Sequence, residues 1–198
     1  MPDALHVLFD RVWRDLESAT GGDIPCDWRR LNLATVDRSG APQSRLVILR
    51  KVDRTLFRLR FHTDVRGAKW DQIAYCPAVC LLGYSAQSHE QIRFSGNAQR
   101  FGPGAKGQQE AWAGLSDWQR AAFCGGPPGR TISQPTTTAP RATAPSRAET
   151  EPGQRHFGVI DVHVSKLDWY QHPRGDLRRA RFDMTPEEGL TSASWVEP

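Results

Sequence analysis

The chain has 198 residues, of which 38% are hydrophobic, and it carries seven tryptophans, four cysteines and a formal net charge of +4. A chain of this length can bury a core without disulfides, and Cys76 and Cys80 lack a partner pair at zinc-site spacing, so we expect free thiols and no metal. The small, dispersed charge and the absence of a long apolar run or a signal-peptide centre argue against nucleic-acid binding and membrane insertion, and they indicate a cytoplasmic protein.

An amphipathic helix is predicted at the start of the chain. Asp3 is its expected N-cap and Gly21-Gly22 its expected end. Six apolar residues recur at helical spacing and are expected to pack: Leu5, Leu8, Phe9, Val12, Trp13 and Leu16. A strand at 32–36 and a turn at 37–40 follow, as in the first hairpin of many antiparallel barrels.

Basic residues then gather between positions 45 and 69. The aliphatic segment 45–52 and the alternating segment 56–62 predict a hairpin, and a helix is expected from about Arg66 to Tyr75, ending before Pro77. A strand end and a helix N-terminus favour an anion such as a phosphate. The residues expected there are Arg45, Arg50, Thr63, Arg66 and Lys69. The alternative is a set of solvated surface charges.

Arg45 and Arg50 pose a geometric problem. They are an odd number of residues apart, so a regular strand would direct them to opposite faces. Both can reach the same phosphate only if the strand contains a bulge.

The second half of the chain predicts further strands and one long irregular segment. Strands are expected at 78–83 and 91–101, where Gly96 suits a bend or a close backbone approach, and again from His156 to Val164 and up to Trp195. The segment 108–123 predicts a core helix that carries Arg120 on an exposed or site-facing side. Residues 125–154 are rich in Pro, Gly, Thr, Ala and Ser, and we expect a long surface loop.

This pattern of short strands with few helices predicts a mainly β (α+β) fold. No βαβ alternation is present, so an antiparallel barrel with flanking helices is favoured over a doubly wound sheet. We expect one domain over residues 1–198.

Three basic motifs follow one another in the first half of the chain: Arg45-Leu-Val-Ile-Leu-Arg50, Phe61-His-Thr63 and Arg66-Gly-Ala-Lys69. A further segment, Glu90–Ala98, carries Gln91 and Gly96. Over about residues 28–101 these motifs resemble the pyridoxamine 5'-phosphate oxidase-like family of FMN-binding split-barrel proteins. The chain is also similar to a subgroup described only as oxidase-related FMN-binding proteins.

The resemblance implies FMN as the cofactor, bound at the interface of a homodimer, and a small-molecule substrate. Arg45, Thr63, Arg66 and Lys69 suit the FMN phosphate, Gln91 can donate to and accept from the ring edge, and the backbone of residues 46–48 can line the ring. The resemblance places Arg50 near an anionic group of the substrate. The predicted cofactor-binding residues are Arg45, Leu46, Val47, Ile48, Arg50, His62, Thr63, Arg66, Gly67, Lys69, Gln91, Tyr170 and Arg181. No residue stands out as catalytic.

The last part of the chain departs from the family pattern. Asp176 and Arg178 stand where the true oxidases carry an Arg and a His for pyridoxal phosphate, so oxidation of pyridoxamine phosphate is not expected. Tyr170 replaces the usual Trp beside the flavin, and the Arg contact to the flavin passes to Arg179 or Arg181. Gln134-Pro135 lies roughly where the family has a flavin-contacting Gln-Ser pair.

Three functions remain open at this point. The first is an FMN-dependent oxidoreductase that exchanges hydride with a small substrate, and the second is a non-catalytic protein that stores or senses FMN. The third is a nucleotide-binding protein that uses the glycine-rich segment Gly102–Gly107 as a phosphate loop.

Overall fold

The structure is a computed structural model that describes residues 3–21, 26–134, 145–172 and 177–198. The predictions made for Gly22, Pro135 and Asp176 lie outside the described residues. The helices are α1 (Ala4–Thr20), α2 (Ala68–Tyr75), α3 (Lys106–Ala113), α4 (Asp117–Ala121) and α5 (Arg147–Thr150), with short 3-10 helices at Asp27–Arg29 and Glu151–His156. The strands are β1 (Arg30–Val36), β2 (Pro42–Asp53), β3 (Arg58–Asp64), β4 (Ala78–Ser85), β5 (Glu90–Phe101), β6 (Phe157–Gln171), β7 (Arg178–Thr185) and β8 (Gly189–Trp195).

The strands form one sheet in the order β3-β2-β1-β4-β5-β6-β7-β8. An additional pairing between β3 and β6 closes the first six of them into an antiparallel barrel. The predicted fold class, a mainly β antiparallel split barrel with flanking helices, is therefore confirmed.

Contacts within the chain define two compact units. The first, here called the barrel unit, comprises residues 1–61, 72–99 and 161–198, and the second, here called the helical unit, comprises residues 62–71 and 100–160. This division does not test whether residues 1–198 make one domain, which stays a prediction.

Helix α1 belongs to the barrel unit and packs through the predicted face. All six apolar residues expected to pack are buried, and Asp3 caps the helix by accepting a hydrogen bond from the Leu5 backbone nitrogen at 3.3 Å. The Trp13 ring lies 5.3 Å from that of Phe57 and 5.9 Å from that of Phe94. On the same helix, Arg11 forms an ion pair with the buried Glu90 of β5. The helix is thus fixed by aromatic packing and by one charged contact.

Strand β2 contains the bulge that the spacing of Arg45 and Arg50 requires. Leu49 pairs with Phe61 and Lys51 with Arg60, so Arg50 is an extra residue without an opposite partner in this register. A bulge of this kind frees the residue from the regular alternation of faces.

Gly96 of β5 confirms the predicted close backbone approach. A Cβ atom at this position would lie 2.0 Å from the backbone oxygen of His163 on β6. Only glycine fits so near to another strand.

The helical unit has its own apolar core. Its buried residues are Trp112, Leu115, Phe157 and Val159, with Phe101, Ala111 and Phe123 packed against them. Arg120 was expected on an exposed or site-facing side, and this was wrong, because its side chain is only 2% exposed. Its guanidinium lies 4.6 Å from the Trp112 ring, donates to the Trp112 backbone oxygen at 2.7 Å and pairs with Glu151 at 2.8 Å.

Two elements of the helical unit differ from the sequence expectation. The single helix expected at 108–123 is interrupted after Ala113, where Ser116 begins a new helix through a capping box with Gln119. Within the segment expected as a loop, Ser146 and Glu149 form a second capping box that begins α5. None of the described helices has the length and apolar composition to cross a membrane.

Candidate functional site

Arg45 on β2 is held in a network of polar side chains within the barrel unit. Its guanidinium donates to Thr35 Oγ1 at 2.5 Å and to Gln72 Oε1 at 2.8 Å, and the Thr35 hydroxyl donates to Gln72 Oε1 at 2.7 Å. Thr35 and Gln72 are buried, and burial lowers the pKa of Arg45. Within the described parts of the chain, Arg45 forms no ion pair, so its charge is oriented by neutral partners only.

Arg50 is the second cation of β2, and one of its nitrogens lacks a partner. Its buried Nε has no hydrogen-bond acceptor among the described residues. Burial, and secondly the charge of Arg29, lower the pKa of Arg50. A buried donor without a partner is costly, and an anionic ligand would satisfy it.

Between these two arginines, β2 alternates between core and surface. Val47 is buried, whereas Leu46 is 69% exposed and Ile48 is 42% exposed. Leu46 pairs with Asn32 of β1, and Asn32 also pairs with Leu82 of β4, which is 39% exposed. Because directly paired residues share a face of the sheet, Leu46 and Leu82 lie on one exposed face, with Asn32 between them.

The helical unit holds the other basic motif residues. Lys69 Nζ donates to Thr63 Oγ1 at 3.0 Å, and Thr63 is buried. The Arg66 guanidinium is bound by both carboxylate oxygens of Asp64, at 2.9 and 2.6 Å, and also donates to the Gly125 backbone oxygen at 3.0 Å. The charge of Arg66 is therefore already balanced by Asp64.

Asp64 also explains where α2 begins. It accepts a hydrogen bond from the Arg66 backbone nitrogen at 2.8 Å, and the Gly67 nitrogen donates to its backbone oxygen at 3.2 Å. These bonds form a turn, so the helix starts at Ala68 and not near Arg66, while its end at Tyr75 agrees with the prediction. Burial alone would raise the pKa of Asp64, but the hydrogen bonds and charge of Arg66 bring it below its ordinary value.

His62 packs away from this turn. Its ring lies 4.9 Å from that of Phe157, in an edge-to-face contact within the helical unit. At this end of β3 Thr63 is buried and its neighbours His62 and Asp64 are half-buried, as the predicted alternation of faces requires.

Gln91, the predicted partner of the flavin ring edge, lies among aromatic side chains in the barrel unit. It is half-buried on β5 and pairs directly with Tyr84 of β4. The Tyr84 ring stacks with that of His172 at 6.1 Å, and His172 in turn stacks with Tyr170 at 5.7 Å. The Gln91 amide can therefore hydrogen-bond to the polar edge of a planar ligand, while the neighbouring aromatic rings offer flat surfaces to its faces.

A cluster of charges extends along β5, β6 and β7 from the same region. Asp168 accepts two hydrogen bonds from Arg179, at 2.9 and 2.8 Å, and one from Arg93 at 2.7 Å. Arg181 pairs directly with Asp168 in the sheet and places its Nε 3.5 Å from the carboxylate. Burial would raise the pKa of Asp168, but the bonds and charges of Arg179 and Arg93 lower it.

Sequence reasoning named Tyr170 and Arg181 but missed Asp168, Arg93, Tyr84 and His172. The available signal was the alternation of polar residues at 168 and 170 and at 179 and 181, which places them on one face. Their pairing could not be read from the sequence, because it depends on the strand register. Of the described residues, no three His, Cys, Asp or Glu side chains are grouped to hold a metal ion.

The glycine-rich segment Gly102–Gly107 does not have the setting of a dinucleotide loop. It follows β5, which is antiparallel to β4, whereas such a loop follows a strand of a parallel βαβ unit. Helix α3 begins within the segment, at Lys106, without a side-chain N-cap. The geometry does not favour a nucleotide site here.

The residues present fit a flavin nucleotide. Arg45 is fixed by neutral partners, Arg50 keeps an unsatisfied buried donor, and Gln91 lies beside stacked aromatic rings. An antiparallel split barrel with these side chains defines the class of FMN-binding split-barrel proteins.

Comparison with known sequences gives the family. Residues 11–102 match the family model described as pyridoxamine 5'-phosphate oxidase, FMN-binding domain. This stretch, a little under half of the chain, is therefore similar to the FMN-binding domain of the pyridoxamine 5'-phosphate oxidase-like family, and that family binds FMN.

Curated relatives match over a similar stretch. The pyridoxine/pyridoxamine 5'-phosphate oxidase of Thermosynechococcus vestitus is 33% identical over 90 residues, which cover 46% of this chain and 40% of the relative. The pyridoxine/pyridoxamine 5'-phosphate oxidase 2 of Arabidopsis thaliana is 29% identical over 69 residues, 35% of each chain. The match therefore spans about two fifths or less of the length of these two relatives.

Solved structures share the fold over the whole chain. A pyridoxamine 5'-phosphate oxidase-related, FMN-binding protein from Nostoc punctiforme superposes with a TM-score of 0.70 at 22% identity, covering 99% of this chain and 98% of the other. PhzG from Burkholderia lata, solved with tetrahydrophenazine-1-carboxylic acid, also gives a TM-score of 0.70 at 15% identity, covering 100% and 94%. At these identities the likeness concerns the fold.

Proposed function

We propose that this protein is an FMN-dependent oxidoreductase that exchanges hydride with a small substrate. The observation that carries the proposal is the Arg45 network, in which Thr35 and Gln72 orient a half-buried guanidinium without neutralising it. Such a preorganised cation has a free charge to offer a phosphate, and an Arg–phosphate fork also fixes orientation. When bound, FMN would supply the hydride chemistry at its N5 atom.

The side chains have separate roles in this proposal. In the barrel unit, Arg45 binds the phosphate, the backbone of residues 46–48 lines the ring, and Gln91 binds its polar edge. Tyr170 and Arg181 contact the flavin from β6 and β7, and Arg50 holds an anionic group of the substrate. In the helical unit, taken by itself, Lys69 and Thr63 are the proposed phosphate contacts, whereas the backbone nitrogen of Gly67 already donates to Asp64.

Arg66 and His62 have weaker support within the same proposal. The pairing of Arg66 with Asp64 supports a role in shaping the turn, with its backbone nitrogen already donated to Asp64. The packing of His62 against Phe157 supports a role for its backbone more than for its ring.

We do not propose oxidation of pyridoxamine phosphate, the activity that the names of the curated relatives describe. The proposal follows from Arg178, which stands at a position where the true oxidases carry a His and here donates to Gln171 at 2.9 Å. The substrate is instead a different small molecule.

The experiment that tests the function is anaerobic reduction of the FMN-loaded protein. A hydride-transferring enzyme bleaches the visible flavin absorption when mixed with NADH, NADPH or another small hydride donor, in a reaction that saturates with donor concentration. A protein that stores or senses FMN stays yellow with every donor, which would overturn the oxidoreductase proposal. Pyridoxamine phosphate serves as the negative substrate, because we expect no bleaching with it.

We also propose a cytoplasmic homodimer with FMN at the interface. The exposed side chains of Leu46 and Leu82, which lie on one face of the sheet, support the dimer, since exposed apolar side chains are common at sites of protein association. Fractionation of cells that express a tagged chain tests the location, and recovery in the membrane or secreted fraction would contradict it.

A further inference from the structure

The Asp168 cluster borders a cavity that the proposed flavin contacts do not use. The cavity has a volume of about 320 Å³, at the lower end of small-molecule sites. Its lining residues lie on β5, β6 and β7 of the barrel unit: Arg93, Ser95, Lys166, Leu167, Asp168, Arg181, Phe182 and Asp183.

The charges around this cavity do not cancel. Asp168 is surrounded by three guanidiniums, from Arg93, Arg179 and Arg181, at one cavity wall. Two residues along the same strands, Lys166 and Asp183 pair directly and approach each other at 3.8 Å. Among the described residues the cluster therefore keeps an excess of positive charge.

The contacts of Asp168 stabilise the fold, but they do not require a third guanidinium. The two bonds from Arg179 and the one from Arg93 already engage both oxygens of Asp168. Arg181 is 56% exposed and lies 3.5 Å from the carboxylate, beyond a good hydrogen bond for this geometry. Two further guanidiniums near one carboxylate also repel each other, so an additional anion would stabilise the cluster.

We propose that this cavity binds the oxyanion, a carboxylate or phosphate, of a small ligand distinct from FMN. Asp168 holds the guanidiniums of Arg93 and Arg179 in fixed orientations, and the donors of Arg93 and Arg181 that do not contact Asp168 face a bidentate acceptor. Lys166 adds a flexible charge at the rim, where its side chain is 71% exposed. The remaining cavity volume accommodates the body of a small organic acid or phosphate ester.

The position of the cavity links it to the proposed active centre. Arg93 lies two residues from Gln91 on β5, and Asp168 lies two residues from Tyr170 on β6, so each pair shares a face. A ligand held by its oxyanion in the cavity would extend along the face that carries the two predicted flavin contacts. In this respect the inference rests on the proposed function, but binding of the anion itself does not.

The test is calorimetric titration of the FMN-loaded protein with inorganic phosphate and with succinate, at constant ionic strength maintained with chloride. We expect saturable binding of at least one probe, weakened about tenfold by Arg93→Gln and by Lys166→Gln. Arg38→Gln removes the same charge from the β1–β2 turn, outside the cavity lining, and leaves binding unchanged. Lys166 is too exposed for its substitution to disturb the fold, so this variant remains informative if Arg93→Gln is unstable.

Three results would overturn the proposal: no saturable binding of either probe, equal binding by the wild type and both cavity variants, or loss of FMN from Arg93→Gln. The last result would mean that the cavity serves the FMN phosphate. If the chain binds no flavin at all, the same titration is performed on the protein as purified. Weakening by Arg93→Gln but not by Arg45→Gln would then support the cavity while the proposed function fails.

Discussion

Asp168 shows how one carboxylate organises several strands. Its oxygens accept hydrogen bonds from Arg93 of β5 and Arg179 of β7, while Asp168 itself belongs to β6. The side chain is 12% exposed, so water screens these contacts only in part. Because hydrogen bonds to charged groups contribute more than neutral ones, this residue is expected to matter for stability as well as for the cavity.

We predict that Asp168→Asn destabilises the protein by about 1–2 kcal/mol near neutral pH, since the amide has the same shape but leaves the guanidiniums unbalanced. The folded state lowers the pKa of Asp168, so its stabilising contribution is present above the ordinary pKa of an aspartate and is lost as the pH falls through the folded value. Urea unfolding of both proteins at neutral and at acidic pH measures the difference.

The difference between wild type and Asp168→Asn should thus shrink in acid. Asp183→Asn is the matched control on the neighbouring strand, because Asp183 is 51% exposed and has only a 3.8 Å contact with Lys166. A loss of stability in Asp168→Asn that stays constant from neutral to acidic pH would contradict the assignment.

At the scale of elements, strands β2, β1 and β4 present an unusual surface. Their outward residues include Leu46, Ile48, Leu82 and Tyr84, all between 39% and 69% exposed. The register of these strands brings Leu46 and Leu82 to the same face, on either side of the polar Asn32. Water contact with such an area is unfavourable, and association of two copies removes it.

Leu82→Glu is therefore predicted to convert a dimer into a monomer. The carboxylate is tolerated on the surface of the monomer but would lose its hydration when the interface buries it. Sedimentation analysis at micromolar concentration measures the mass. Val7→Glu on α1 is the control, since Val7 is 48% exposed on another element and its substitution should leave the mass unchanged.

If the wild-type protein sediments as a monomer, or if Leu82→Glu remains a dimer, the interface proposal is wrong. A dimer that dissociates equally in both variants would indicate a general loss of folding, which circular dichroism detects.

The elements differ in how far the sequence determined them. Helix α1 was predicted with its N-cap and its buried face, because Asp3 and the apolar spacing act locally. The close approach at Gly96 was also predictable, because a glycine inside an apolar strand usually marks a bend or a close approach of another backbone. Positions that depend on long-range pairing were missed: the burial of Arg120 requires Trp112 and Glu151, which are 8 and 31 residues away.

In the candidate site, too, the sequence identified local features but missed contacts between distant residues. Motif residues such as Arg45 and Lys69 could be selected from the sequence. The need for a bulge near Arg50 followed from its odd separation from Arg45 on a strand whose side chains alternate between faces. The neutral partners of Arg45 could not be identified from the sequence, because Thr35 and Gln72 belong to other elements of the fold. The pairing of Arg66 with Asp64 was missed although the two are neighbours, since the sequence does not tell a turn-forming aspartate from a solvated one.

At the scale of the whole molecule, the proposed function depends on the binding of FMN. The match to the FMN-binding family model and the fold indicate a flavin-binding protein. Each unit, taken by itself, carries one predicted phosphate contact: Arg45 in the barrel unit and Lys69 in the helical unit. Removing both charges should abolish binding without unfolding either unit, because neither side chain belongs to a hydrophobic core.

The most direct test is the absorption spectrum of the purified protein, with the released cofactor identified, beside that of Arg45→Ala/Lys69→Ala. We predict oxidised-flavin bands from stoichiometric FMN in the wild type, and colourless protein with an unchanged circular dichroism spectrum in the double variant. Arg38→Ala, which removes a charge from the β1–β2 turn, should keep its colour. A wild type without flavin after incubation with FMN, or a double variant that retains stoichiometric FMN, would contradict the account.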